Sequence, residues 1–407
     1  MTSPTTRLSQ VEFIALIAML FATIAFSIDA MLPALPEIGA TLSPDAPNRA
    51  QLVVGLFFLG MGIGTLFSGP LSDRFGRKAV ILASGAVYCV AALVCWLATS
   101  LEVLLIARLV QGVGAAGPRT VSMAIVRDLF KGREMARIMS FAMMVFMLAP
   151  AVAPLVGQGI IALAGWHAIF LAFILFSAVS MLWLGLRLPE TLPVDARKPL
   201  AVASLMAAGR EMFSYRVVKV SILIQALTTG VLLATISSIQ GVYEQRFDMA
   251  ASFALWFAAG ALIAAGGSFL NSRIVMVMGM RKVAASAFLG ALLVTGLHLV
   301  LILAGPSSET LNFAAFFVWT VTMFGMMSLT MGNLNALAME PVGHIAGFAA
   351  SLMAAISTVL GVVIAVPIGL AFDGTALPLV LGSAVLLMLA LAAMQLIRRQ
   401  EGQATGT

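Results

Sequence analysis

Between short charged interruptions this chain returns twelve times to an apolar run of about 20 residues, the length that carries an α-helix across roughly 30 Å of hydrocarbon. The runs cover 12–33, 51–69, 79–99, 101–126, 138–161, 167–187, 217–240, 251–271, 283–304, 311–335, 346–370 and 376–397. Of the 407 residues 61% are apolar and 10% are charged, and a water-soluble fold built from them would expose most of its surface as hydrocarbon. Lipid is therefore the solvent, and the expected fold class is an all-α membrane protein with twelve transmembrane helices. The first run, after Arg7, has the look of a signal-peptide core. It ends in Asp29, Pro33 and Pro36 without a small-x-small cleavage pattern, so it is expected to remain as the first helix.

Charge distribution predicts orientation. With the amino terminus in the cytoplasm, nineteen of the 23 Lys and Arg residues fall in inner connections, Arg49 and Arg246 fall outside, and Arg108 and Arg119 lie within spans. This is the positive-inside pattern, and it predicts both termini on the cytoplasmic side. It also accounts for the net charge of +6 without a nucleic-acid partner. Cys89 and Cys95 both fall in the third span, where they behave as small apolar residues and build neither a disulfide framework nor a metal site.

The longest polar interruption contains Pro189, Pro193, Asp195, Arg197, Lys198 and Pro199. It predicts an amino-terminal six-helix bundle over 1–188, a cytoplasmic linker over 189–216 and a carboxy-terminal six-helix bundle over 217–407. A faint repeat supports two pseudo-symmetric halves: Gly76-Arg77-Lys78 follows the second span, and Gly279-Met280-Arg281-Lys282 follows the eighth.

The loop between spans 2 and 3 reads Gly69-Pro70-Leu71-Ser72-Asp73-Arg74-Phe75-Gly76-Arg77-Lys78. It resembles the inner-loop signature of the major facilitator superfamily, G-x-L-(a)-D-R-x-G-R-K. That resemblance implies a conformational latch made by Gly69, Asp73, Arg74, Gly76, Arg77 and Lys78. Here Gly69 is expected to let a helix end approach its neighbour, Asp73 to pair with nearby arginines or a helix N-terminus, and Arg77 and Lys78 to hold the loop at the anionic leaflet. On span 4, Arg108-Leu109-Val110-Gln111-Gly112 is similar to the R-x-x-Q-G motif of drug:proton antiporters, and a structural tie of Arg108 to backbone carbonyls is the other reading of that buried charge. On span 5 the exporter motif G-x-x-x-G-P-x-x-G-G is eroded to a stretch holding Pro150, Pro154, Gly157 and Gln158, whose prolines are expected to bend the helix. Ser27-Ile28-Asp29-Ala30-Met31-Leu32-Pro33 and Gly332-Asn333-Leu334-Asn335, with Glu340-Pro341 and Gly343-His344 beyond, look like the Bcr/CflA-type branch. The resemblance implies a monomeric, proton-driven exporter in the bacterial inner membrane, needing no cofactor beyond the proton gradient. Its partners would be small-molecule substrates, protons and lipids.

Three charges lie well inside spans: Asp29, Arg108 and Arg119. Asp29 and Arg108 are expected at similar depth, and in the resembled fold both would line a central cavity and form the proton-coupling pair. A carboxylate beside a guanidinium keeps its charge, whereas one in a dry cavity takes a proton, so a change of access could switch between the two. A static ion pair tying two helices is the other reading. Arg119 follows Arg108 by eleven residues, which returns to nearly the same helix face about 16 Å deeper. Two arginines against one aspartate favour an anionic or neutral polar substrate over a permanent cation. Pairing of Arg119 with carbonyls or with the Asp73 loop remains open.

Further candidates for substrate contact are Gln111, Met143, Met147, Gln158, Gln225, Thr229, Asn333 and Asn335, polar or soft side chains in apolar spans. Gln240 and Trp319 belong to the same group. The function expected is export of drug-like or amphipathic molecules by alternating access. Uptake symport and dedicated export of a metabolite or siderophore stay open, because the span 5 motif is eroded. Intramembrane catalysis is disfavoured: the chain has no H-E-x-x-H, no G-x-S-x-G and no P-loop, and His167, His298 and His344 are scattered.

Overall fold

Ser9 starts the first helix by accepting a hydrogen bond from the Glu12 amide at 3.2 Å, and Leu32-Pro33 ends its reach by turning the chain into a 3-10 turn. The computed structural model describes residues 8–197, 202–305 and 308–404. Its helices are α1 (Gln10–Asp29), α2 (Leu35–Leu42), α3 (Leu52–Phe75), α4 (Arg77–Trp96), α5 (Leu101–Leu129), α6 (Gly132–Ala164) and α7 (Ala168–Arg187). They continue as α8 (Val202–Met212), α9 (Arg216–Gly241), α10 (Phe253–Met278), α11 (Met280–Leu303), α12 (Glu309–Met339), α13 (Ala346–Leu370) and α14 (Leu377–Ala404). Among the described residues there is no strand.

Among the described residues eleven continuous helical stretches are long and apolar enough to cross a bilayer, and one of them, Glu309–Leu370, has 62 residues. At 1.5 Å per residue that stretch would be about 90 Å long, three times the hydrocarbon thickness. It breaks at Val342 (φ −121°, ψ 23°) inside a 3-10 turn, Glu340–Ile345, so its arms α12 and α13 are separate crossings and the count is twelve. The protein is thus a multi-pass, all-α membrane protein. Several helices outrun the apolar runs: α6 has 33 residues, about 50 Å, with Pro150 and Pro154 both inside it.

The chain divides into two units, Met1–Val202 and Ala203–Thr407. In the first, α3 and α4 each pack closely on α5; a Cβ on Gly60 or Gly112 would collide with the backbone of the facing helix. In the second, α12 holds the equivalent place against α10, α11 and α9, and α9 packs as well on α13 and α14. The interruption between the halves contains α8, whose Met212 is fully buried in the second unit with Val218, Ala338 and Val342. Glu211 beside it meets His344 Nε2 at 2.9 Å.

Each unit repeats two local devices. Gly76 (φ +102°) precedes α4 and Gly279 (φ +80°) precedes α11, both in a conformation costly for residues with a Cβ. Ser100 caps α5 and Ser308 caps α12, and the acid in each first turn pairs with an arginine, Glu102 with Arg49 at 3.1 Å and Glu309 with Arg246 at 3.0 Å.

Candidate functional site

Asp29 is the last residue of α1, 5% exposed, with no ion pair or hydrogen bond to any described residue. Gly157 of α6 fixes this end of the helix: it lies so close to the Ala30 carbonyl that any Cβ there would overlap the oxygen. The span 5 motif, although eroded, thus keeps its glycine where it touches the residue after Asp29.

Arg108 on α5 is fully buried. Its Nε donates to the Val53 carbonyl at 3.2 Å, Nη2 to the Ser27 carbonyl at 3.2 Å and Nη1 to Gln111 Oε1 at 2.8 Å. The guanidinium carbon stands 4.3 Å from the centre of the Phe57 ring. Carbonyl dipoles, a carboxamide and a ring face together compensate a charge that would otherwise be costly in a membrane interior. Arg108 therefore reaches α1 two residues before Asp29 and takes its backbone oxygen, not the Asp29 carboxylate. One turn of α1 is further held by Ser27, whose hydroxyl is hydrogen-bonded to that of Tyr88 on α4. Gln111 keeps its Nε2 without a partner.

At the opposite end of the unit the 69–78 loop is an ion network. Arg77, 8% exposed, binds Asp73 Oδ1 at 2.6 Å, Ser72 Oγ at 2.7 Å and Asp128 Oδ2 at 2.9 Å. The Glu190 carboxylate accepts the Arg77 and Lys78 amides at 2.9 and 3.1 Å, and so caps α4 with negative charge. Gly76 leaves the room for that cap, since a Cβ there would overlap Glu190 Oε2. Two expectations change. Arg77 and Lys78 spend their charged ends inside the protein, Arg77 enclosed by carboxylates and Lys78 Nζ on the Gly185 carbonyl at 2.7 Å. Gly69 does not serve a close approach, since a Cβ at that position would meet nothing within 4 Å. Arg74 is exposed and lies over the Phe75 ring at 5.6 Å.

Arg119, half-buried, has no hydrogen bond or ion pair to a described residue. The other candidates scatter. Met143 packs against the core that holds Phe13, Leu16 and Val121. Gln158 is half-buried and has a partner, and the side chain of Met147 lies outside the described residues. In the second unit Gln225 Nε2 and Ser221 Oγ, one turn apart on α9, are buried without partners. Thr229 packs against Gly361 of α13. Asn333 Nδ2 is spent on Asn271 Oδ1 and the Leu329 carbonyl, both at 2.8 Å, tying α10 to α12, and Asn335 is exposed. Trp319 donates to Thr295 Oγ1 at 3.1 Å in the contact of α11 with α12. Among the described residues no three His, Cys, Asp or Glu side chains converge as metal ligands would.

Sequence reasoning missed Ser27, Phe57 and Tyr88 around Arg108, and Asp128 and Glu190 in the loop network. Glu190 and Asp128 left a trace, being the first acids after the sixth and fourth spans, and Ser27 opens the Ser27-Ile28-Asp29 stretch quoted above; Phe57 and Tyr88 had none.

A family model described as Major Facilitator Superfamily matches residues 15–366. The uncharacterized MFS-type transporter YdgK of Bacillus subtilis is 30% identical over 371 residues, 89% of this chain and 90% of that protein. The bicyclomycin resistance protein homolog of Haemophilus influenzae is 29% identical over 352 residues, 86% and 87% of the two chains. The crystal structure of a D-xylose-proton symporter superposes with a TM-score of 0.75 at 14% identity, over 95% of this chain and 97% of that one, which is a likeness of fold. With a match of that extent laid over a loop network and two six-span units of the kind described, this chain belongs to the Major Facilitator Superfamily.

Proposed function

We propose that this protein is a proton-coupled antiporter that exports drug-like or amphipathic small molecules by alternating access. A relative aligned along most of its length bears a name of bicyclomycin resistance, and the family is one of transporters, so the site is read as binding and releasing a solute. The observation that carries the reading is Asp29, a carboxylate at the end of a membrane helix, 5% exposed, with every Arg108 donor described above committed elsewhere. An ionisable group is costly at membrane depth and persists where it is used. Asp29 is free to exchange a proton without first breaking an ion pair, while Arg108 holds the backbone beneath it. Arg119, without a partner among the described residues, favours anionic or neutral polar substrates. The energy source is the proton gradient and no cofactor takes part. The protein works as a monomer in the bacterial inner membrane with both termini cytoplasmic.

Cells expressing the protein should hold less of a fluorescent drug-like compound than control cells, and a protonophore should erase the difference. Higher internal compound in expressing cells, or a difference that survives the protonophore, contradicts proton-driven export.

A further inference from the structure

α3 and α4 both press onto α5 but diverge from one another, and the wedge between them is a groove of about 430 Å³. Its walls include Phe67, Leu71 and Phe75 of α3 and Val80, Ala83 and Val87 of α4. Two hydroxyls reach it, and each is spent on its own helix: Ser68 Oγ donates to the Gly64 carbonyl at 2.7 Å and Ser84 Oγ to the Val80 carbonyl at 2.6 Å. The groove therefore asks for an apolar occupant. It is open, with Phe67 58%, Phe75 51% and Val87 42% exposed. In a bilayer such a groove does not stay empty, because its walls would forfeit dispersion contacts, and acyl chains are the material at hand.

Charge at one end says what kind of chain. Arg74 stands in the last turn of α3 beside the groove wall Phe75 and, among the described residues, has no carboxylate partner. The charges around it are committed: Arg77 to Asp73 and Asp128, Lys78 to the Gly185 carbonyl, Glu190 to the amides of α4. A free guanidinium at the mouth of an apolar groove is complementary to a phosphate ester carrying an acyl chain. We propose that the α3–α4 groove binds an anionic phospholipid, its acyl chain along Phe67, Leu71 and Phe75 and its phosphate on Arg74. The lipid then abuts the ion network of the 69–78 loop.

Native mass spectrometry of the full chain, released from nanodiscs of mixed phosphatidylglycerol and phosphatidylcholine, reads which lipid is retained. The wild type is expected to favour phosphatidylglycerol by about fivefold more than Arg74→Gln does, the factor one basic residue contributes at a membrane surface. Arg74→Gln should still retain a lipid, and Ala83→Trp, which fills the groove, should retain fewer lipids of either kind. An unchanged preference in Arg74→Gln overturns the proposal, and that exposed substitution decides alone where Ala83→Trp fails to insert. Displacement of the lipid by a saturating drug-like substrate also overturns it, because the groove would then belong to the solute.

Discussion

Arg108 donates to the carbonyl oxygen of Ser27 at 3.2 Å, so the buried guanidinium grips α1 by its backbone two residues before Asp29. A guanidinium tied in this way stabilises the helix whose end carries the carboxylate and leaves the carboxylate itself without a partner among the described residues. The consequences can be measured separately.

Arg108→Lys keeps the charge but cannot serve three acceptors in the same plane or stack on Phe57. Loss of these contacts should cost about 2–4 kcal/mol and lower the melting temperature in detergent. Phe57→Leu removes the ring alone and should cost about 0.5–2 kcal/mol. A melting temperature unchanged in both variants would show that the grip is not structural.

Gly157→Ala places a methyl group against the Ala30 carbonyl, and α6 must then part from the end of α1. Overpacking of this kind costs about 1–3 kcal/mol, so transport should fall about tenfold while the protein is still inserted. Wild-type transport by this variant would mean that the depth of Asp29 does not depend on that contact.

Glu190→Ala removes the cap of α4 and should weaken that helix end by about 1–2 kcal/mol. Hydrogen exchange reads the effect locally: the Arg77 and Lys78 amides should exchange faster, with the centre of α4 unaffected. Equal protection of those amides in wild type and variant would contradict the cap.

Arg119→Ala should depress transport of anionic substrates more than of neutral ones matched in size. Equal losses across such a panel would place Arg119 outside substrate recognition.

The spans were legible because a run of about 20 apolar residues has one common explanation. The break between α12 and α13 was also legible, since Glu340-Pro341 interrupts the apolar pattern. α8 was hidden because its eleven residues, with Gly209 among them, lie inside a stretch whose prolines and charges look like a flexible connection. A tie of Arg108 to backbone carbonyls was open in the sequence, but which carbonyls was hidden for a different reason. Two of its acceptors are backbone carbonyls of other helices, and any residue supplies a carbonyl, so no pattern of side chains announces them. The expected partnership with Asp29 came from matching depths, which brings residues near one another without deciding which atoms meet.

The central claim is that Asp29 carries the coupling proton. Proteoliposomes with an imposed pH gradient separate coupling from permeation when uphill transport and gradient-free exchange of one substrate are followed in the wild type and in Asp29→Asn. The variant is expected to lose uphill transport and keep exchange. Uphill transport by Asp29→Asn at the wild-type rate would contradict the claim.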